Sequence, residues 1–189
     1  ADIPMKGILQ TSNFARAILN RETGLIPASG RRLVSQCGIF EYEGRFIMIT
    51  DAAININPDV ETQIGIVENA LPVAKALGND CPKVAVLSAV ENVTEKMAST
   101  VTAAEIAKRG VPGCIISGPL ALDGAISMES VKHKAIHDPV AGQADILLVP
   151  FIEIGNVLYK ACTYIAGKTM ASTICGASCP VVSTSRADT

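Results

Sequence analysis

The chain has 189 residues, of which 49% are hydrophobic and 18% charged, and its formal net charge is -2. This length allows one domain with a substantial core, or one domain and part of a second. The small net charge excludes the basic surface that nucleic-acid-binding proteins offer to phosphate backbones, so we expect no nucleic-acid partner.

The six cysteines are scattered through apolar runs, without a CxxC pair and without a histidine at metal-ligand spacing. We therefore expect reduced core thiols and no metal site. The longest apolar runs, such as 146–149, are too short to cross a bilayer, which predicts no membrane partner and a cytoplasmic location. Because the chain begins with Ala1 and ends at Thr189 after a polar run, we expect a processed or truncated piece of a longer protein.

Short runs rich in valine and isoleucine alternate with longer segments of helical spacing. This alternation predicts an α/β fold of three layers, in which a mostly parallel sheet has helices on both faces. The first predicted helix has Ser12 as its N-cap and ends near Glu22. A hairpin of strands 33–40 and 46–50 follows, with its turn around Glu43 and Gly44.

The rest of the chain continues the same alternation. A predicted helix runs from Pro58 to Leu77 and stops at Gly78, and Pro72 should kink or split it. Apolar strands at 84–88 and 114–117 are expected in the centre of the sheet. The remaining predicted elements are helices at 100–108, 123–134 and 153–166 and strands at 146–149, 171–175 and 181–183.

In open parallel sheets, ligands bind in the loops that follow the carboxyl ends of strands. One such loop carries Ser185 and Arg186, in which a guanidinium could hold phosphate while a hydroxyl donates to an anion. Taken alone, such a pair is more often a solvated chain end. Another loop begins with Asp51, which by itself reads as a structural turn carboxylate rather than an acid/base group.

Near the other end of the chain, Thr11 and Ser12 precede a predicted helix whose first turns carry Arg16. Hydroxyls, free N–H groups and a cation could bind an anion together at this helix start. The alternative is a capped surface helix, and the residues alone favour that alternative.

Four ordered blocks resemble the phosphate acetyltransferase and phosphate butyryltransferase family, with the butyryltransferases as the nearer resemblance. The resemblance extends over essentially the whole chain, including its first 19 residues. The blocks are TDAAININPD at 50–59, GPLALDGAIS at 118–127, ADILLVPFIEIGNVLYK at 144–160 and PVVSTSRAD at 180–188.

The resemblance implies a two-domain architecture like that of isocitrate and isopropylmalate dehydrogenases, with the active site between the domains. Residues 27–182 would form the second α/β domain. Residues 1–26 and 183–189 would be remnants of the first, which lacks its N-terminal part and a C-terminal helix. The resemblance also implies a homodimer or larger homo-oligomer.

The implied activity is exchange of coenzyme A and inorganic phosphate on a short-chain acyl group, with coenzyme A as a substrate and no cofactor. The thiolate would attack an acyl phosphate directly, without a covalent acyl-enzyme. By resemblance, the catalytic residues are Ser185, Arg186 and Asp188, with Asp188 as a candidate base. The phosphate site is Thr11, Ser12, Arg16 and Arg186, and the coenzyme A cleft is Asp51, Gly155, Asn156 and Lys160.

The chain departs from the family pattern at several positions, which leaves the acyl preference open. Ser117 replaces an aspartate, and Phe151 and Ile154 make one edge of the cleft bulkier and more apolar. Two other readings also stay open. One is an inactive, coenzyme A-binding or dimerising fragment, and the other is a metal-dependent decarboxylating dehydrogenase of similar fold.

Overall fold

One eight-stranded sheet organises the molecule, and the computed structural model describes residues 2–27 and 31–183. The strands are Met5–Lys6 (β1), Ser35–Tyr42 (β2), Arg45–Thr50 (β3), Lys83–Leu87 (β4), Ile115–Leu120 (β5), Ile146–Leu148 (β6), Met170–Cys175 (β7) and Val181–Ser183 (β8). The helices are Thr11–Ile18 (α1), Val60–Ala76 (α2), Ala98–Arg109 (α3), Leu122–Ile126 (α4), Met128–Lys134 (α5) and Ile152–Lys160 (α6).

The strands lie side by side in the order β1-β8-β7-β2-β3-β6-β4-β5. The pairs β1–β8, β3–β6, β6–β4 and β4–β5 are parallel, and the pairs β8–β7, β7–β2 and β2–β3 are antiparallel. The carboxyl ends of β3, β6, β4, β5 and β7 therefore lie along one edge of the sheet, and those of β1, β8 and β2 along the other.

Helices cover both faces of this sheet, which confirms the predicted three layers. On one face, α2 and α3 pack through Ile66, Val67 and Ile106 against alternate residues of the central strands. On the other face, α6 and the α4–α5 region pack against the intervening residues, such as Ile47 and Leu147. Side chains alternate between the faces along each strand, so one set of strands supplies both cores.

The hairpin and the long second helix follow the predictions closely. Glu43 and Gly44 both have positive φ, 51° and 78°, as a tight two-residue hairpin turn requires. The side chain of Asp59 caps α2 by accepting a hydrogen bond from the Thr62 N–H at 2.8 Å. Pro72 lies inside α2 without splitting it, so that helix is continuous from Val60 to Ala76.

Other boundaries differ from the predictions for local reasons. Gln10, not Ser12, is the N-cap of α1, and α1 ends at Ile18 because the Asn20 side chain accepts from the N–H groups of Glu22 and Thr23. Ser127 divides the predicted helix 123–134 into α4 and α5, since it is extended and caps α5. The strand expected at 114–117 lies at the sheet edge rather than in its centre.

The expectation that all six thiols lie in the core is wrong. Cys37 and Cys175 are buried, Cys81 is exposed, and Cys114, Cys162 and Cys179 are partly buried, all of them free. Burial raises the pKa of Cys114 to about 11, so this thiol stays protonated near neutral pH. Among the described residues, no helix is both long and apolar enough to span a membrane.

Candidate active site

Asp51 follows β3 directly and is the most completely bonded side chain at this edge of the sheet. Its Oδ1 accepts from the backbone N–H groups of Gln36, Ala53 and Ile54 at 3.0–3.1 Å. Its Oδ2 accepts from the backbone N–H of Asn55 at 3.0 Å and from Asn55 Nδ2 at 2.6 Å. Five donors fill the acceptor sites of one carboxylate, so Asp51 holds loop 51–55 in place.

Burial also shifts the pKa of Asp51. The side chain is 2% exposed, and this burial raises its pKa from the usual 3.8, while hydrogen bonds from Ala53, Asn55 and Gln36 lower it. The two effects oppose each other because burial disfavours the charge and the donors favour it.

Helix α6 rests directly on this loop. A Cβ on Gly155 would lie 2.7 Å from the Asp51 carbonyl oxygen and 2.9 Å from Ala52 Cα, closer than such atoms can approach. Asn156, the next residue, donates from Nδ2 to the Ala52 carbonyl at 3.3 Å. The structure thus brings together three of the four predicted cleft residues, Asp51, Gly155 and Asn156.

Lys160, the fourth of these residues, is exposed at the last position of α6. It lies five residues beyond Gly155, or about 7.5 Å further along the helix axis. The structure therefore places Lys160 apart from Asp51, towards the opposite edge of the sheet.

We expect Gly155→Ala to destabilise the protein by about 1–3 kcal/mol, the usual cost of overpacking. The added methyl meets backbone atoms of loop 51–52, which cannot move aside without breaking the hydrogen bonds of Asp51. Urea unfolding measures the effect. Gly167→Ala is not a suitable control, because Gly167 has a positive φ, which an alanine would adopt only with strain. Gly7→Ala is the better control, since nothing lies within 4 Å of a Cβ there. Equal stability of the two variants would contradict the packing described.

The predicted phosphate helix is α1, which starts at Thr11. The side chain of its N-cap residue, Gln10, makes no hydrogen bond to the helix. Ser12 and Arg16 are both exposed, and their spacing of four places them on the same side of the helix. A hydroxyl and a guanidinium thus share one exposed side of α1.

Ser185, Arg186 and Asp188 lie outside the described residues. The last described strand, β8, ends at Ser183, whose register partner in β1 is Lys6, and these two strands are parallel. β1 and β8 therefore end at the same edge of the sheet, and β1 leads into α1.

Helices α1 and α6 lie on the same face of the sheet. Tyr159 of α6 lies over Gly38, and Gln36, two residues earlier in β2, faces the same side. Ile174 is the register partner of Gln36 and belongs to the apolar cluster that contains Ile18 of α1. The strands β7 and β2 therefore form the sheet surface between the two helices.

That surface contains a polar pair that the sequence analysis missed. Gln36 Nε2 donates to Ser172 Oγ at 2.6 Å, and Gln36 is 5% exposed. Its Oε1 is buried and has no hydrogen-bond partner among the described residues. Glutamine and serine are ordinarily surface residues, so the sequence carried no signal for this pair.

Lys134 forms ion pairs with two other loops that follow strands, through Glu91 after β4 and Asp123 after β5. Lys134 Nζ lies 3.0 Å from Glu91 Oε1 and 2.9 Å from Asp123 Oδ2. The hydrogen bond from Lys134 lowers the pKa of Asp123. Ser117 donates a hydrogen bond to Asp138. These acids therefore have structural partners, and the described residues contain no cluster of acids, cysteines and histidines that could hold a metal.

Comparison with known proteins gives the family. A family model described as "Phosphate acetyl/butaryl transferase" matches residues 1–189. The chain is 48% identical to the probable phosphate butyryltransferase of Bacillus subtilis and 46% identical to the phosphate butyryltransferase of Clostridium beijerinckii. All of the chain is covered in both alignments, but it spans only 64% and 63% of the length of those relatives.

Two solved structures of proteins with related names resemble the chain in fold and in sequence. The crystal structure of a branched-chain phosphotransacylase from Enterococcus faecalis matches all of the chain and 68% of that protein, with 42% identity and a TM-score of 0.91. A phosphotransacetylase from Streptococcus pyogenes matches all of the chain and 58% of that protein, with 27% identity and a TM-score of 0.82. The chain belongs to the phosphate acetyl/butaryl transferase family.

Proposed function

We propose that the protein exchanges coenzyme A and inorganic phosphate on a short-chain acyl group, converting acyl-CoA and phosphate to acyl phosphate and coenzyme A and the reverse. The observation that carries this proposal is the family match over residues 1–189, because it includes every residue proposed for the site. Relatives named as phosphate butyryltransferases share 45–48% of their aligned residues with the chain.

The chemistry is one direct transfer. A base takes the thiol proton of coenzyme A, the thiolate sulfur forms a bond to the acyl carbon, and the bond from that carbon to the phosphate oxygen breaks. Asp188 is the candidate base, and the proton ends on phosphate or solvent. Ser185 donates a hydrogen bond near the sulfur, while Arg16 and Arg186 hold the phosphate as its charge grows.

The topology supports the convergence of these groups. α1 starts five residues after Lys6, and Ser185 and Arg186 follow Ser183 by two and three residues. Because Lys6 and Ser183 are neighbours in parallel strands, the two segments start from the same edge of the sheet. Held in this way, two cations and a hydroxyl can fix both substrates at reacting distance.

The cleft of this proposal lies between α1 and α6, above the surface formed by β7 and β2. The architecture is the two-domain arrangement of isocitrate and isopropylmalate dehydrogenases, with residues 27–182 as the complete domain and the other domain incomplete. The site takes coenzyme A as a substrate and needs no cofactor, and the protein acts as a homodimer or larger homo-oligomer.

The edge of this cleft near α6 is apolar. Ile56, Phe151 and Ile154 are 68%, 36% and 45% exposed and line one open depression. A butyryl or branched acyl chain would cover more of this surface than an acetyl group, and burial of apolar surface favours binding.

An acyl-phosphate panel tests the proposal. Acetyl phosphate and butyryl phosphate are each incubated with coenzyme A and the intact gene product, and thioester formation is followed. The expected result is coenzyme A-dependent thioester with release of phosphate. A parallel assay offers a nicotinamide cofactor, a divalent metal and 2-hydroxy acids. Reduction of the nicotinamide without thioester formation would replace the transferase by the dehydrogenase alternative.

A further inference from the structure

Two buried thiols lie on neighbouring strands of the sheet, and the transfer proposed above uses neither of them. Cys37 of β2 is 0% exposed, and Cys175, the last residue of β7, is 6% exposed. Both belong to the apolar cluster on the α2 face of the sheet, and both are free. Two free thiols that share one buried site can be oxidised together to a disulfide, so this pair is a candidate for redox chemistry.

The strand register shows how near the two thiols are. β2 and β7 are antiparallel, with Cys37 opposite Thr173 and Ser35 opposite Cys175. Cys37 and Cys175 are therefore diagonal neighbours on one face, whose Cα atoms are ordinarily about 7–8 Å apart with the Cβ atoms somewhat closer. The Cys37 thiol donates a hydrogen bond to the Cys175 sulfur, and this bond and burial raise the pKa of Cys37 well above its usual value. The two sulfur atoms thus face each other.

Cys175 is the thiol of this pair that a small oxidant can reach. It lines a groove of about 660 Å³ between α2 and the end of β7, whose other walls include Asn69, Val73 and Thr173. Cys37 does not line this groove. A peroxide molecule that enters the groove therefore meets the sulfur of Cys175 first, with the Cys37 thiol directly behind it.

We propose that Cys37 and Cys175 form a redox switch, in which hydrogen peroxide converts the two thiols to a disulfide and thereby loosens loop 51–55. The Cys175 sulfur attacks one peroxide oxygen, which gives a sulfenic acid and one water, and the Cys37 sulfur then displaces a second water from that sulfenic acid. In total, two thiols are oxidised to one disulfide and one peroxide is reduced to two waters. A dithiol reductant reverses the change by thiol–disulfide exchange.

The disulfide requires a movement of β2, and this movement reaches the candidate site. A disulfide needs Cα atoms about 4.4–6.8 Å apart, which is closer than diagonal neighbours ordinarily lie. Gln36, the residue before Cys37, donates from its backbone N–H to Asp51 Oδ1 and accepts at its carbonyl from Thr50 Oγ1. A shift of β2 towards Cys175 therefore pulls on the anchor of loop 51–55, on which α6 rests. The same strain makes the disulfide easy to reduce, as a reversible switch requires.

The effect on catalysis rests on the proposed function, whereas the disulfide itself does not. A misplacement of about 1 Å can cost about 100-fold in rate, so the oxidised intact gene product should form thioester at least about tenfold more slowly than the reduced protein. The backbone N–H groups of Ala53, Ile54 and Asn55 donate to Asp51 in the reduced protein. After oxidation they should exchange with deuterium at least about tenfold faster, because their acceptor has moved.

Peptide mapping of the wild-type protein tests the disulfide without any substitution. The intact gene product is treated with hydrogen peroxide, its remaining thiols are alkylated, and it is digested with trypsin without reductant. Peptide 33–45, which contains Cys37, should be joined to peptide 169–186, which contains Cys175 and Cys179. Dithiothreitol should separate the two peptides and restore the rate of thioester formation.

Two variants identify the partner of Cys37. Cys179→Ser should behave like wild type, because Cys179 packs against a different apolar cluster from Cys37 and Cys175. Cys175→Ser should form no joined peptide and should keep its rate of thioester formation and its hydrogen exchange after peroxide. If Cys175→Ser does not fold, the joined peptide in Cys179→Ser still identifies Cys175 as the partner.

Failure of the inference and failure of the proposed function give different results. Recovery of peptide 33–45 unlinked after peroxide, in a protein that forms thioester, would overturn the switch and leave the transferase standing. A joined peptide in a protein whose rate and hydrogen exchange equal those of the reduced form would also overturn the switch. A joined peptide with faster exchange of loop 51–55, in a protein that turns over no acyl phosphate, would support the switch and overturn the transferase.

Discussion

Replacing Arg16 with alanine should lower kcat for thioester formation by about 100- to 1,000-fold, the usual effect of removing a group that stabilises charge in the transition state. Arg16 is exposed on the same side of α1 as Ser12, at the start of the proposed phosphate site. Its guanidinium has two parallel N–H groups for phosphate oxygens. Because the charge on these oxygens grows during transfer, the loss falls on kcat as well as on KM for acyl phosphate.

Arg21 offers the matched control for this substitution. It is exposed and lies three residues beyond the end of α1, outside the proposed site. Arg21→Ala should therefore keep nearly all activity, and Arg16→Lys should fall between Arg16→Ala and wild type, since lysine keeps the charge but loses the planar fork. The expected loss for Arg16→Ala is about 100- to 1,000-fold. If its kcat instead lies within about threefold of the kcat of Arg21→Ala, Arg16 does not belong to the site.

Replacing Asp51 with asparagine should lower the free energy of unfolding by about 3 kcal/mol, since buried donors left without acceptors cost about 1–3 kcal/mol each. The carboxylate accepts hydrogen bonds on both oxygens, from three N–H groups on Oδ1 and from Asn55 twice on Oδ2. An asparagine presents an amide nitrogen to one of these two sets of donors, whichever way it is turned. Loop 51–55 then loses part of its anchor.

Urea unfolding measures this effect, with Asp80→Asn as the control. Asp80 is exposed and its contact with Lys75 is a surface ion pair at 3.8 Å, which contributes little to stability. The midpoint of Asp51→Asn should fall with an unchanged slope, as for a change in stability alone. If both variants unfold at the same urea concentration, Asp51 does not anchor the loop.

Much of the fold could be predicted because its signals are local. The turn at Glu43 and Gly44, the cap at Asp59 and the apolar alternation of the strands act over a few residues, and each gave the correct element. β1 was missed because two residues carry no periodic pattern. The end of α1 was misplaced because the Asn20 side chain competes with the helix for the N–H groups of Glu22 and Thr23.

The family motifs predicted which residues belong to the candidate site, but the sequence did not predict how those residues contact one another. The cluster of Asp51, Gly155 and Asn156 forms because α6 packs on the loop after β3, a contact over about a hundred residues of sequence. Gln36 and Gln63 could not be found from the sequence, since only the packed structure shows which glutamine oxygens are buried and without partners.

A double-mutant cycle on Arg16 and Arg186 tests the central claim most directly, because that claim is that both guanidinium groups hold one phosphate. When two groups act as a unit, removing one of them already removes most of the effect of the other. The double alanine variant should therefore have a kcat/KM within about tenfold of that of the less active single variant. If the two losses instead multiply in full, the arginines act at separate places and do not share a phosphate.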